Sequence, residues 1–428
     1  MIFIFIKIVY ISYVCKNQTN QVMKKQLPSK LFLASILLTA FIIQSCSSND
    51  GCTDPAAINF DESAEEDDGS CEYEEGDPEE LSGTIDVPTT FENIYQSDQL
   101  YDYVVDGHVR IDAAVTIEPG VRILMKSGAQ ITVRSDGSLD MSGTSQDSII
   151  IKGEQDIPGF WNYIRFNGSN NPNNKIIYTG IYNGGADSRR DGLVFLSSNS
   201  RLSVENSTFA VSQRNGLVVS GSDAIIPSFS NNVFRDCALY PVELSNFFQS
   251  ENFNETSMFH ESNGTNFVRV GSRTIPNSFT IPKINGYYEK HGRTNLDGDV
   301  EIAPGTKIKM ASGARITVRS NGSLKCIGTI SERITIEGTQ QVEGFFECIR
   351  FNGSNNPNNE FQYVDVSYGG ANSLYDANIY LSSDSRFKMG NCSLNYSAGY
   401  GLSGGSSAIF EDDGNNTFNG NVLGDIGL

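Results

Sequence analysis

VTIEPGVRILMKSGAQITVRSDGSLDMSGT, residues 115–144, returns as VEIAPGTKIKMASGARITVRSNGSLKCIGT at residues 300–329. Inside each copy apolar residues alternate with single polar ones: Ile131 and Val133, Leu139 and Met141, then Ile149 and Ile151. Side chains of a strand point alternately to its two faces, so each run reads as a short strand with one buried face. Between the runs stand SGA, SDGS and NSS, rich in residues that tolerate turn geometry. No amphipathic helix follows residue 46. Strands this short and this evenly spaced, with no helices between them, leave a sandwich or a solenoid.

The repeat favours the solenoid. Ile164 aligns on Ile349, a shift of 185 residues, and IRFNGSNNPNN is identical at 164–174 and 349–359. YNGGA at Tyr182 matches YGGA at Tyr368, and LSSNSRL at Leu196 matches LSSDSRF at Leu381. Two modules, 81–285 and 286–428, therefore fill most of the chain. Three strands and three turns make a coil of roughly 22 to 25 residues, a length proper to repeat architectures. NSTF at Asn206 and NNVF at Asn231 stand one such coil apart, as do NCSL at Asn391 and NNTF at Asn415. Asn at equivalent turns can stack, each amide satisfying polar groups that a tight corner leaves unpaired.

The run EPG, SGA, ITV, GSL, GT, followed by GFW, IRF, SNNPNN, a Tyr before GG, and LSS, resembles a family of right-handed parallel β-helix repeat proteins with the pectate-lyase-like fold, frequent among exported proteins of Bacteroidota. The resemblance runs from about Gly83 to Leu428. It implies an all-β right-handed parallel β-helix and is weak for activity, because one fold hosts many functions.

Upstream, MKKQLPSKLFLASILLTAFIIQSC from Met23 has a basic start, an apolar centre and a small residue before Cys46. Residues 1–22 then read as an over-extended start, and 23–45 as a signal peptide. IIQSC resembles a bacterial lipobox, which implies acylation of Cys46, a membrane anchor, and a place at the outer membrane or cell surface; an ordinary signal peptide is the alternative. Residues 46–80 follow as an acidic spacer. GCTDPAAINFDESAEEDDGSCEY resembles a small motif of secreted and surface proteins, which implies a Cys52–Cys71 disulfide. Its carboxylates repel one another, and Asp54, Asn59, Asp61, Asp67 and Asp68 are candidate oxygen ligands for Ca²⁺. A solvated acidic spacer is the plainer alternative.

Two further expectations come from comparing the modules. Met141 becomes Cys326 and Tyr163 becomes Cys348. Twenty-two residues apart, these would stack on adjacent coils within disulfide range, unless their side chains face opposite ways. Cys237 and Cys392 have no counterparts and read as lone buried thiols. In IRFNGSNNPNN, Ile164 and Phe166 face inward and the rest turns the chain. The rival reading makes Arg165, Asn167 and Asn170, with Arg350, Asn352 and Asn355, a repeated ligand face for sugar hydroxyls.

Charge narrows the function. Fifty-one Asp and Glu against 31 Lys and Arg give a net charge of −20, which does not invite nucleic acid. Three histidines, His108, His260 and His291, leave little for a His-based catalytic or zinc site. The carboxylates of the repeat are scattered: Asp187 and Asp191 lie near Arg189 and Arg190, and Asp412 and Asp413 sit side by side. The expectation is a non-enzymatic surface scaffold that binds glycans or surface proteins. A polysaccharide lyase or glycoside hydrolase is the alternative.

Overall fold

The computed structural model describes residues 49–55, 57–72 and 76–428; the leader and Cys46 lie outside the described residues. The chain divides into a small unit ending at Glu75 and a large one from Gly76 to Leu428. In the small unit two parallel pairs, Asp50 with Glu66 and Gly51 with Asp67, are held beside a Cys52–Cys71 disulfide.

The large unit is a right-handed parallel β-helix. Every coil visits three faces in turn, here named A, B and C. Face B is one 14-stranded sheet running unbroken from Thr84–Ile85 to Thr417–Asn419. Faces A and C each consist of two sheets, one per module. On face B, Val109 stands opposite Ile131, Ile131 opposite Ile164, and Ile164 opposite Val194. Inward positions thus carry like residues from coil to coil, and removing each from water contributes roughly 1.5–3 kcal/mol. Phe209, Phe234 and Phe259 stack along one such column, with ring centroids 4.7 and 5.7 Å apart. Solenoid pairing begins with Glu79–Leu81 on Tyr103–Val105, inside the stretch read as spacer.

The asparagine columns form as expected. The Asn231 amide nitrogen donates to Asn206 Oδ1 at 3.1 Å, and that of Asn415 to Asn391 Oδ1 at 3.2 Å. All four residues have positive φ, between 51° and 57°. The corner, from face C to face A in the first module and from face A to face B in the second, turns within a single left-handed residue, a conformation Asn adopts more readily than most. The first rung of each column is a tyrosine, Tyr178 or Tyr363, in the same conformation.

Two sequence expectations fail. The chain makes excursions between strands, so coils are not of constant length. Cys326 on face A stands opposite Ile302 and Phe361; Cys348 on face C stands opposite Arg315. The two cysteines therefore occupy different faces, and both are free and buried rather than disulfide-bonded. Cys237 and Cys392 are free and buried too, as expected. Cys392 takes the place of Ser207 (the same position in the first module) and its thiol lies 3.1 Å from the Gly390 carbonyl, the capping role of the Ser207 hydroxyl on Glu205.

The second correction concerns the duplication. Gln130–Arg134 and Tyr163–Asn167 belong to face B, whereas their counterparts Arg315–Arg319 and Cys348–Asn352 belong to face C. The second module is turned by one face about the solenoid axis. The turn is made in the segment after Leu244, which has no counterpart in the second module. There a 3-10 turn, Phe247–Ser250, replaces a face C strand. Across this seam face B continues through alternating charges, Glu243, Arg269, Glu289, Lys309 and Glu337 in register.

Just past the seam Lys290 points into the core, fully buried, where the first module has Val105. Its ammonium donates to the carbonyls of His291 and Gly292. Desolvation, reinforced by Arg269, lowers its pKa to about 7. The unfolded chain binds that proton up to the ordinary lysine value, so this group makes stability rise between about pH 7 and pH 10.5. Lys290→Met should remove that rise, on the order of 1–4 kcal/mol, in denaturant titrations at pH 7 and pH 10. Separately, alkylation in guanidinium without reductant should label Cys326 and Cys348 and spare Cys52 and Cys71.

Candidate functional site

Both copies of IRFNGSNNPNN are built alike. Ile164, Phe166, Ile349 and Phe351 point inward and are fully buried. Gly168 and Gly353 then turn at φ of 80° and 72°. Ser169 Oγ donates to the Gly137 carbonyl at 2.6 Å, and Ser354 Oγ to that of Gly322 at 2.6 Å. Those glycines are required. A Cβ on Gly137 would come within 2.2 Å of the Ile111 carbonyl oxygen, and one on Gly322 within 2.6 Å of that of Leu296.

Asn174 and Asn359 close the turn. The amide of Asn359 donates to Ser354 O and Ser354 Oγ, while its Oδ1 accepts from Leu324 N–H at 3.1 Å. Asn174 repeats the pattern with Ser169 and Leu139. Both asparagines are buried. The stretch is thus a structural turn in each copy.

The six candidate ligand residues are not gathered into one site. Asn170 and Asn355 are exposed at the tip. Asn167 Oδ1 accepts from the Ser197 hydroxyl, and Asn352 Oδ1 from Ser382 and the Arg350 guanidinium. Arg165 does face outward, but on face B; Arg350 faces outward on face C. Hence the duplication does not make one repeated binding face.

Around each arginine a short loop is pinned by a cation–π contact, with the roles exchanged. In the first module Arg190 of the loop lies over Tyr163 of the strand, 5.6 Å from its centroid. In the second, Tyr375 occupies the Arg190 position and lies between strand residues Arg350 and Arg315, at 4.2 and 5.5 Å. Arg315 and Arg293 also pair with the buried carboxylate of Glu347. Arg350 is therefore covered by Tyr375, while Arg165 lies over Phe195 at 5.9 Å. Desolvation, with Arg190 adding to it, lowers the pKa of Arg165.

Phe195 opens onto the more accessible feature, a groove of about 390 Å³ across face B. Phe195 and Val218 contribute its apolar floor, Glu243 and Arg269 continue the row, and Arg189, Asp191, Ser220, Ser272 and Arg273 rim it. Both of its carboxylates are paired, Glu243 with Arg269 and Asp191 with Arg214. Arg189 and Arg273 are exposed and make no ion pair among the described residues. The groove was legible only at Arg189 and Asp191, whose neighbourhood stands out in sequence. Arg269 and Arg273 lie in the unduplicated segment, which carries no motif; register sets Arg269 in the row of Phe195, three strands on, and Arg273 follows at the end of the same groove.

The other sequence candidates disperse. Asp61 Oδ1 accepts from Ser63, Asp67 Oδ1 from Gly69 N–H, and Asp68 Oδ1 from Ser70 N–H. Asn59 bridges Ser70 and Glu72. Hydrogen bonds to Ser63 and Ser70 lower the pKa of Asp61 and Asp68. No group of three or more His, Cys, Asp or Glu is brought together for a metal among the described residues, Asp54 included. Asp413 pairs with Lys388, and Asp412 accepts from Gly414 and Asn416.

No family model, no curated protein and no solved structure matches the chain.

If the duplicated stretch is a structural turn, its buried amide should matter and its exposed one should not. Asn359→Ala should cost about 2–4 kcal/mol in a denaturant titration, since it orphans several buried polar groups. Asn355→Ala should stay within about 0.5 kcal/mol.

Proposed function

We propose that the protein is an exported, lipid-anchored β-helix that binds glycans without cleaving them, and that the face B groove is its binding site. The observation that carries the reading is the groove itself: an aromatic and aliphatic floor, hydroxyls along the rim, and two arginines without acidic partners in a chain of net charge −20. Aromatic and aliphatic side chains take the C–H face of a sugar ring, and the serines take its hydroxyls. Guanidinium groups present paired N–H donors that match carboxylate or sulfate geometry. The expected ligand is therefore a glycan carrying such substituents.

Several features support binding over cleavage. Each groove carboxylate is committed to an arginine, whereas acid–base cleavage of a glycosidic bond calls for carboxyl groups at liberty to exchange protons. An extended, shallow face suits many weak contacts along a polymer. The anchor at Cys46 and the surface location rest on the leader and the IIQSC segment. The acidic unit after Cys46 serves in this reading as a spacer, and calcium is not required.

A glycan array with residues 47–428, followed by titration calorimetry, tests the proposal. Binding to carboxylated or sulfated glycans should weaken about tenfold with Arg273→Ala, the loss of one charge-assisted contact of roughly 1.5 kcal/mol. It should also weaken as salt rises. Release of reducing ends would make the protein an enzyme instead. Absence of binding to every glycan would leave the large unit a structural element.

A further inference from the structure

The unduplicated segment does more than turn the second module. Face C is broken there: the first module's last strand on that face is Phe229–Ser230, and the second module's first is Arg293–Leu296. Only the Phe247–Ser250 turn and a single bridge, Ile275 to Leu296, lie between them. Where the ladder lapses a cavity of about 440 Å³ opens, within the usual range for small-molecule sites.

Its lining is unlike the groove of face B. Phe248 and Pro276 supply apolar surface; Asp223, Asn246, Thr274 and Asn277 supply oxygens and amides; no Lys, Arg or His takes part. The ring of Phe248 is fixed edge-to-face on Phe279, 5.6 Å away. Asn246 is almost wholly buried, and its amide nitrogen reaches the Ser222 carbonyl at 3.3 Å, tying one wall to the next. Asp223 and Asn277, by contrast, spend no side-chain atom on a hydrogen bond or ion pair among the described residues.

We infer that this seam cavity binds an uncharged sugar, independently of the groove. A ring beside a carboxylate and two amides matches the two sides of a pyranose, C–H on one and hydroxyls on the other. A lone unpaired carboxylate accepts from two hydroxyls and repels an anionic ligand. The chemistry is thus the complement of the groove, which offers unpaired guanidinium groups. One face takes charged substituents, and the seam takes a neutral ring.

Saturation-transfer NMR on residues 47–428 with the methyl glycosides of glucose, galactose, mannose and N-acetylglucosamine tests this, with glucuronate as the charged counterpart. At least one neutral glycoside should receive saturation. Asp223→Ala and Asn277→Ala should each weaken it about fivefold or more, while Arg273→Ala leaves it unchanged. Both substituted side chains are exposed, so the fold should tolerate them, and melting curves check that it does. No saturation of any neutral glycoside, or binding that survives both substitutions, overturns the inference. Neutral-sugar binding lost in Arg273→Ala instead would assign it to the groove.

Discussion

Everything in the large unit depends on one constraint: the backbone of each coil is bonded to the coils before and after it, so the coils must stay in register. A strand that slips by one residue turns its whole apolar set outward. The register is kept by inward columns of like residues, such as Val109, Ile131, Ile164 and Val194, and by corners that turn in one residue. Asn206, Asn231, Asn391 and Asn415 serve those corners twice, accepting the left-handed backbone and joining side chain to side chain. The loops escape the constraint, because an excursion between strands alters no pairing. The chain can therefore vary its surface freely while its core stays periodic.

That division explains what could be read from the sequence. Period-two alternation, turn residues and the duplication are local signals, and they identify a stacked all-β solenoid with asparagine columns. What they cannot supply is the length of a coil, since an excursion such as EQDIPGFWN counts in sequence but not in register. Cys326 and Cys348 illustrate the difference. Their spacing suits one coil of average length, yet the intervening chain holds one strand, Ile334–Gly338, and a long loop, so it advances two faces rather than a full turn and they stand on separate faces. The same blindness hid the face B groove. Arg189, Phe195, Val218, Arg269 and Arg273 are far apart in sequence and become neighbours only because consecutive coils stack.

Identity of sequence also proved a poor guide to function. IRFNGSNNPNN is the best-kept stretch between the modules, and its buried members, Ser169, Asn174, Ser354 and Asn359, hold the turn. The surface around it has diverged: Tyr163 and Arg190 in one module answer to Cys348 and Tyr375 in the other, where the loop supplies the ring and the strand residues Arg350 and Arg315 supply the cations of the cation–π contact. Preservation of a contact through exchanged partners is what packing demands. A shared ligand would instead ask for the same atoms in the same places.

The one-face turn between the modules has a consequence of its own. A prism with three sides can be re-aimed by inserting or deleting a single side's worth of chain between two blocks. The linker after Leu244 then works as an indexing plate: it sets the compass bearing of everything downstream and leaves the blocks themselves untouched. Lineages carrying such tandem blocks can change which direction a surface looks by editing a few dozen residues of connector, a far smaller step than evolving a new surface. A duplicated block on this architecture is thus a second instrument that can be pointed elsewhere.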